Sequence, residues 1–225
     1  MMDALYQNLI AEDRWKYIVR GLSTTLQISL FAVIFGVVLG FVVAIVRSTY
    51  EKTHKLKFLN AICQLYLTVI RGTPVVVQLL IMYYVIFVSL KSKLVVAVLA
   101  FGINSGAYVA EIIRGGIQSI DDGQFEGGRS LGFTYAQTMI YIILPQVFKN
   151  VLPSLANEFI VLLKETSVSG YIAMQDLTKG GDIIRSQTYN AMVPLFIVAA
   201  IYLAMVMLFS YLVKLLERRL RNSER

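Results

Sequence analysis

Apolar residues in this chain come in blocks too long for the core of a small globular domain. Leu22 to Val46 carries no charge at all, and Phe58 to Leu90, Leu94 to about Ile113, Val147 to about Leu163 and Ala191 to Val213 are apolar apart from isolated polar positions. A bilayer core about 30 Å thick takes roughly 20 helical residues, so each block predicts a membrane-spanning helix. The second is interrupted by Arg71-Gly72-Thr73-Pro74 and counts as one broken span or two short ones. Charge decides between them. Arg47, Lys52, Lys55 and Lys57 crowd the loop after the first block, and Lys214, Arg218, Arg219, Arg221 and Arg225 crowd the tail. Cationic loops face the cytoplasm, and both ends lie on that side only if an even number of spans separates them. The expectation is an all-α integral membrane protein with about five transmembrane helices, N-terminus outside and C-terminus cytoplasmic. The first block starts too late and runs too long for a removable signal peptide. The chain reads as one transmembrane domain, 1–225, with an extracytoplasmic segment 1–21, a cytoplasmic loop 114–149 and a basic cytoplasmic tail 214–225.

Composition agrees and narrows the function. Hydrophobic residues make up 57% of the 225 and charged residues 16%, against about 45–50% and about 25% in soluble domains; the mean hydropathy is +0.66. A disordered chain is excluded and a soluble enzyme is disfavoured. The net charge of +7 belongs to loops rather than to a soluble basic fold, so no nucleic-acid partner is expected. Cys63 stands alone and forms no internal disulfide. The chain has no G-x-x-x-x-G-K-[ST] phosphate loop, no H-E-x-x-H helix and no G-x-S-x-G elbow, and its one histidine, His54, sits in a basic loop. No metal or cofactor is expected in this chain, and energy for any transport comes from another one. An odd span count without internal repeats disfavours a carrier built of inverted halves. A stand-alone membrane enzyme and a passive channel or scaffold remain as other classes. Five helices make a thin wall, which suggests two copies or paralogues side by side. Gly36 and Gly40 form a small-xxx-small pair suited to close helix approach, although glycine is common in membrane helices anyway.

The segment from Arg114 to Lys149 is far longer than the roughly 2–8 residues of an ordinary helix–helix connection. Asp121 and Asp122 can cap a helix, Glu126 and Arg129 are spaced as an i,i+3 pair, Gly132 stands where that helix should end, and a second helix runs from about Tyr135 with Pro145 near the next span. Such a helix could rest on lipid or offer a surface to another protein. Glu126-Gly127-Gly128, three residues, Gly132, nine residues, then Ile142-Ile143-Leu144-Pro145 resembles the EAA loop of binding-protein-dependent ATP-binding-cassette importers, with both alanines replaced by glycine. Arg71-Gly72-Thr73-Pro74, Asn104-Ser105-Gly106-Ala107-Tyr108-Val109-Ala110-Glu111, Arg114-Gly115-Gly116-Ile117, Asn157-Glu158-Phe159-Ile160 and Leu163-Lys164-Glu165-Thr166-Ser167 resemble the polar-amino-acid branch of that superfamily.

The resemblance spans nearly the whole chain and implies a type I importer permease in a prokaryotic cytoplasmic membrane. It also implies the partners: a second permease subunit, a pair of ATPases that bind ATP and Mg and grip the EAA loop, and an extracytoplasmic binding protein that delivers the amino acid. On this reading Glu126, Gly127, Gly128, Arg129, Gly132, Leu144 and Pro145 couple the chain to the ATPase, and transport proceeds by alternating access.

Ionisable groups at mid-bilayer cost at least about 2.5–3.5 kcal/mol, so each needs a role. Arg71 and Thr73, beside Pro74, either face a substrate carboxylate or shape a gate; alternatively Arg71 pairs with Glu111 and only holds the fold. Asn104, Tyr108 and Glu111 share one helical face and either line the pathway or bond a neighbouring helix, with Glu111 suited to an ion pair with Arg71 or Arg114. Asn157 and Glu158 lie near mid-span, with Glu165 a heptad beyond. Glu158 has no cation four residues on, and its carboxylate could hold a guanidinium or imidazolium, the ammonium of a glutamine-like ligand, or an internal network. The reading favoured from sequence is a basic amino acid, arginine, histidine or lysine. Lys164 and Glu165 are expected to open an extracytoplasmic gate or docking segment, and Asp176 to Tyr189 an outside loop.

Overall fold

The computed structural model describes residues 6–222; the outermost parts of the two expected terminal segments, Arg225 among them, lie outside the described residues. We number the helices α1 (Trp15–Thr53), α2 (Lys57–Gly72), α3 (Val75–Ile81), α4 (Lys93–Gln118), α5 (Asp122–Ser130), α6 (Tyr135–Thr138), α7 (Leu144–Glu165), α8 (Leu177–Thr188) and α9 (Met192–Asn222). Among the described residues every regular element is helical. Four helical runs are long and apolar enough to cross a membrane: α1, α4, Tyr135–Ile172 and α9. The pair α2 and α3, the latter prolonged to Ile86, bends by 110° at its break and, counted as one span, brings the total to five.

The first span is longer than its apolar block. Nothing in Trp15 to Gly21 breaks a helix, and α1 runs on past Val46 until Thr53 Oγ1 turns back to the carbonyl of Thr49 at 2.6 Å and His54 adopts a left-handed conformation. Its 39 residues extend about 58 Å, nearly twice the bilayer core, so its cytoplasmic end projects toward the loop after α4. α1 and α4 form the central pair. Gly36 and Gly40 are where they touch: a Cβ on Gly40 would stand 2.6 Å from Val109 Cγ1, and one on Gly36 would stand 3.1 Å from the backbone nitrogen of Gly106. The small-residue pair therefore closes a contact inside this chain.

Two elements go beyond the expectations. The helix expected from about Tyr135 is present, and it continues through a wider turn at Met139–Ile143 into α7. Pro145 has no N–H to donate, and the N–H of Leu144 just before it reaches five residues back to Met139, which lets the chain pass the proline without stopping. The stretch after Asp176 is likewise a helix rather than a loop. The Asp176 carboxylate caps α8 by accepting from the backbone N–H groups of Thr178 and Lys179 at 3.0 and 3.1 Å. Gly180 lets that helix press on α1, where a Cβ would stand 2.6 Å from the carbonyl oxygen of Tyr17. The fourth span, expected to end at about Leu163, stays α-helical to Glu165 and passes directly into a tighter 3₁₀ segment, Thr166–Ile172.

Of the four apolar clusters among the described residues, two are the largest. One packs Ile28, Ala32, Leu79, Val96, Phe101, Leu162 and Ile172; the other packs Ala44, Val109, Ile113 and Val147 with Phe125, Met139 and Ile143 of the cytoplasmic loop. The second makes α5 an extension of the bundle.

Candidate functional site

The break between α2 and α3 is held by a residue that the sequence reading passed over. Gln78, one polar position in an apolar run, places its amide nitrogen 2.7 Å from the carbonyl of Ile70, 3.1 Å from that of Thr73 and 2.8 Å from Thr73 Oγ1. Thr73 Oγ1 in turn donates to the carbonyl of Val69 at 2.8 Å. Pro74 cannot continue the α2 ladder, and these bonds satisfy carbonyls it leaves open. Asn104 Nδ2 donates to Gln78 Oε1 at 3.0 Å, so the buried Asn104 ties α4 to the break. Tyr66 adds a second tie, its hydroxyl donating to the carbonyl of Ile103 at 2.6 Å. A lone Gln in a run of Val and Leu was the available signal for Gln78.

Below the break the side chains are more open. The Arg71 guanidinium lies 5.9 Å from the centre of the Tyr108 ring, and its Nη1 is 3.9 Å from Glu111 Oε1, with Arg71 46% exposed. Glu111 makes the closer bond with Arg114 on its own helix, at 2.7 Å. Both expected partners of Glu111 are therefore present, and Arg71 keeps donors free. Thr73 and Pro74 are exposed at the break.

Glu158 faces inward from α7 and is 8% exposed. Ser105 Oγ donates to its Oε1 at 2.8 Å, and among the described residues no cation pairs with it. Asn157 is exposed and Glu165 half-buried. The structure thus brings Arg71, Tyr108 and Glu111 together, joins Thr73 to Asn104 through Gln78, and places Glu158 on Ser105, a residue of the same α4 helix. Ser105, too, was missed as a site residue. Among the described residues no three His, Cys, Asp or Glu side chains gather as a metal cluster.

The cytoplasmic loop folds as its signals imply. Asp121 accepts from the N–H of Gly123 at 2.8 Å and caps α5. The helix closes with Gly132 at φ 84°, while the N–H groups of Gly132 and Phe133 bond the carbonyls of Arg129 and Gly128, a Schellman ending. Thr134 and Gln137 form a reciprocal capping box at the next helix. Glu126, Gly127 and Arg129 face solvent, with no ion pair between Glu126 and Arg129, whereas Gly128 is buried against Thr138, whose Cγ2 would be 2.7 Å from an added Cβ. Lys52, at the end of α1, pairs with Asp122 and lies 4.9 Å from the Phe125 ring centre, and Phe125 stacks on Tyr135. Leu144 and Pro145 begin α7 directly behind.

Residues 36–222 match the family described as binding-protein-dependent transport system inner membrane component. The chain belongs to that family. GlnP of Rickettsia typhi, a permease protein named for glutamine transport, is 39% identical over 207 residues, covering 91% of this chain and 93% of the relative. The arginine transport system permease protein ArtQ of Bacillus subtilis is 37% identical, covering 92% and 94%, and the L-cystine permease protein TcyB of the same organism is 34% identical, covering 96% and 92%. A crystal structure of an amino acid ABC transporter with histidines superimposes with a TM-score of 0.83 at 44% identity, covering 91% of this chain and 94% of that one. This permease is therefore a multi-pass inner-membrane protein of the amino-acid ABC importer type. Its polar break, its paired α1 and α4 and its ordered cytoplasmic loop are parts of one transport subunit.

Proposed function

We propose that this permease forms, with a second permease subunit, the membrane pathway for a basic amino acid, and that Glu158 receives the cationic group of the substrate. The observation that carries the reading is a carboxylate on a membrane-crossing helix that is almost fully buried, accepts one hydroxyl and has no cationic partner among the described residues. A buried charge without a partner is costly, and an ammonium or guanidinium would complete it with charge-assisted hydrogen bonds. Asn104 and Asn157 flank the site and Tyr108 offers a donor for the carboxylate end, while the Thr73 hydroxyl is engaged with the Val69 carbonyl and Arg71 lies toward the cytoplasmic side of the break. The ArtQ relative named for arginine supports a basic substrate. The GlnP relative named for glutamine supports a second reading, in which Glu158 holds only the α-ammonium.

Drive and delivery come from partners. An ATPase pair binds ATP and Mg and docks on the exposed Glu126, Gly127 and Arg129 face of α5, and an extracytoplasmic binding protein loads the pathway. Closure of the ATPases moves α5, and α5 moves the bundle because Phe125 is packed into the apolar cluster of α1, α4 and α7. Lys164 and Glu165, just before the 3₁₀ segment, sit where an outer gate would form.

The test is binding of radiolabelled arginine, histidine, lysine and glutamine to the detergent-purified transporter, native and Glu158→Gln. Loss of one charge-assisted bond, about 1.5–3 kcal/mol, should weaken cationic ligands by roughly tenfold or more and glutamine less. Equal binding by the two proteins, or no binding while the binding protein still stimulates ATPase activity, overturns the site.

A further inference from the structure

On the cytoplasmic side of the break, α1, α2 and α4 line an open cavity of about 500 Å³, formed by Arg47, Gln64, Leu67, Thr68, Arg71 and Glu111 with the backbone of Gly72. Its size falls within the roughly 300–1,000 Å³ of small-molecule sites. Arg47 is the anomaly in it. The side chain is 17% exposed, yet its closest carboxylate oxygen, Glu51 Oε1, is 3.6 Å away, beyond hydrogen-bond reach. Its Nε is buried without any acceptor, and among the described residues none of its donors makes a hydrogen bond. A guanidinium has five N–H donors and stays charged at any physiological pH, so burying it unbonded is unfavourable.

The neighbouring charges do not solve this. Arg114 takes the better share of Glu111, at 2.7 Å against 3.9 Å for Arg71, and Arg47 shares Glu51 with it almost equally, at 3.6 and 3.5 Å. Three guanidiniums thus face two carboxylates, leaving one positive charge in excess and two arginines with free donors on one cavity. The missing complement is a monoanion with oxygen acceptors. A doubly charged phosphate would be repelled by Glu111, whereas a zwitterion would place its ammonium there. Gln64 and Thr68 supply further polar contacts.

We propose that this cavity is a second amino-acid subsite, on the cytoplasmic half of the pathway, in which Arg47 and Arg71 hold the α-carboxylate of the transported substrate after it leaves Glu158. The assignment rests on the amino-acid reading above and adds a site to it. A permease chain then carries two stations of opposite sign, a carboxylate that takes the cationic end and a pair of guanidiniums that takes the anionic end.

Equilibrium dialysis of labelled arginine and glutamine on the complete detergent-purified transporter without nucleotide tests it. Glu158→Gln should leave residual binding that free amino acid displaces and the corresponding α-amide does not. Adding Arg47→Gln should weaken that residue at least fivefold, and Arg47→Lys should restore part of it. Displacement by the amide as well as by the acid, displacement by inorganic phosphate at the same concentration, or indifference to Arg47→Gln overturns the proposal. So does phosphatidylglycerol held by the native protein and lost from Arg47→Gln with no residual amino-acid binding, which would give the cavity to a lipid headgroup. Failure of the Glu158 site looks different: binding would depend on Arg47 and be unchanged by Glu158→Gln.

Discussion

Two adjacent glycines in the cytoplasmic loop have different reasons to be glycine. Gly127 is exposed with open space where its Cβ would be, while Gly128 is pressed on Thr138 and Ile142. Gly127→Ala should therefore stabilise the permease by about 0.4–1 kcal/mol by restricting the unfolded chain. Gly128→Ala should destabilise it by about 1–3 kcal/mol through overpacking, and Thr138→Ala should rescue most of that by removing the two nearest crowding atoms, leaving Ile142 Cδ1 at 3.0 Å. Thermal unfolding in detergent checks all three. Gln78 gives a second prediction: Gln78→Leu keeps the volume but strands the amide of Asn104 and the carbonyls of Ile70 and Thr73. A loss of about 1–3 kcal/mol is expected from unsatisfied polar groups, together with faster backbone hydrogen exchange at 70–78; unchanged exchange there would show that water replaces the bonds at no cost.

At the scale of elements, α8 is the part whose placement the sequence hid. Asp176 to Tyr189 contains polar residues and paired glycines, the usual marks of a loop, yet the glycines serve close packing. The capping carboxylate of Asp176 is completely buried. Burial pushes its pKa up to about 6, against the lowering effect of the Lys179 and Thr178 backbone N–H groups. Lys179 does not neutralise it, since its ammonium pairs with Asp182 at 2.8 Å. A folded-state pKa above the unfolded value means that the native state holds the proton more tightly, so stability falls as pH rises from about 4 to about 6. Asp176→Asn keeps an acceptor for the cap and has nothing to titrate. The native protein should lose melting temperature relative to this variant between pH 4.5 and 7, and parallel curves would show that the carboxyl is not perturbed.

Across the whole molecule, the long first helix joins the two ends of the machine. Its middle packs on α4 through Gly36 and Gly40, and its cytoplasmic end holds α5 through Lys52, Asp122 and Phe125. A push on α5 therefore reaches the face that carries Asn104, Ser105 and Tyr108 through packed side chains. Glu126 is exposed on the outer face of α5, so Glu126→Arg should leave the permease folded while severing the docking of the ATPases. Measured in proteoliposomes, uptake per ATP hydrolysed should fall at least tenfold with melting temperature nearly unchanged. Intact coupling would remove Glu126 from the docking surface.

What sequence alone determined is what depends on local order along the chain. Which segments are long and apolar enough to span follows from local hydropathy, because the bilayer filters one segment at a time. The α5 boundaries follow from Asp121 and Gly132, because caps and left-handed turns are made by neighbouring residues. Tertiary structure decided what depends on partners distant in sequence. Asn104 bonds Gln78 and Glu158 bonds Ser105 because α4 lies beside both the break and α7. Arg47, which by sequence is one more loop cation, became a half-buried guanidinium whose Nε has no acceptor, because α1 runs on as a helix beyond its apolar block. A side chain's chemistry is written in its type, but whether that chemistry is satisfied depends on which helices fold against it.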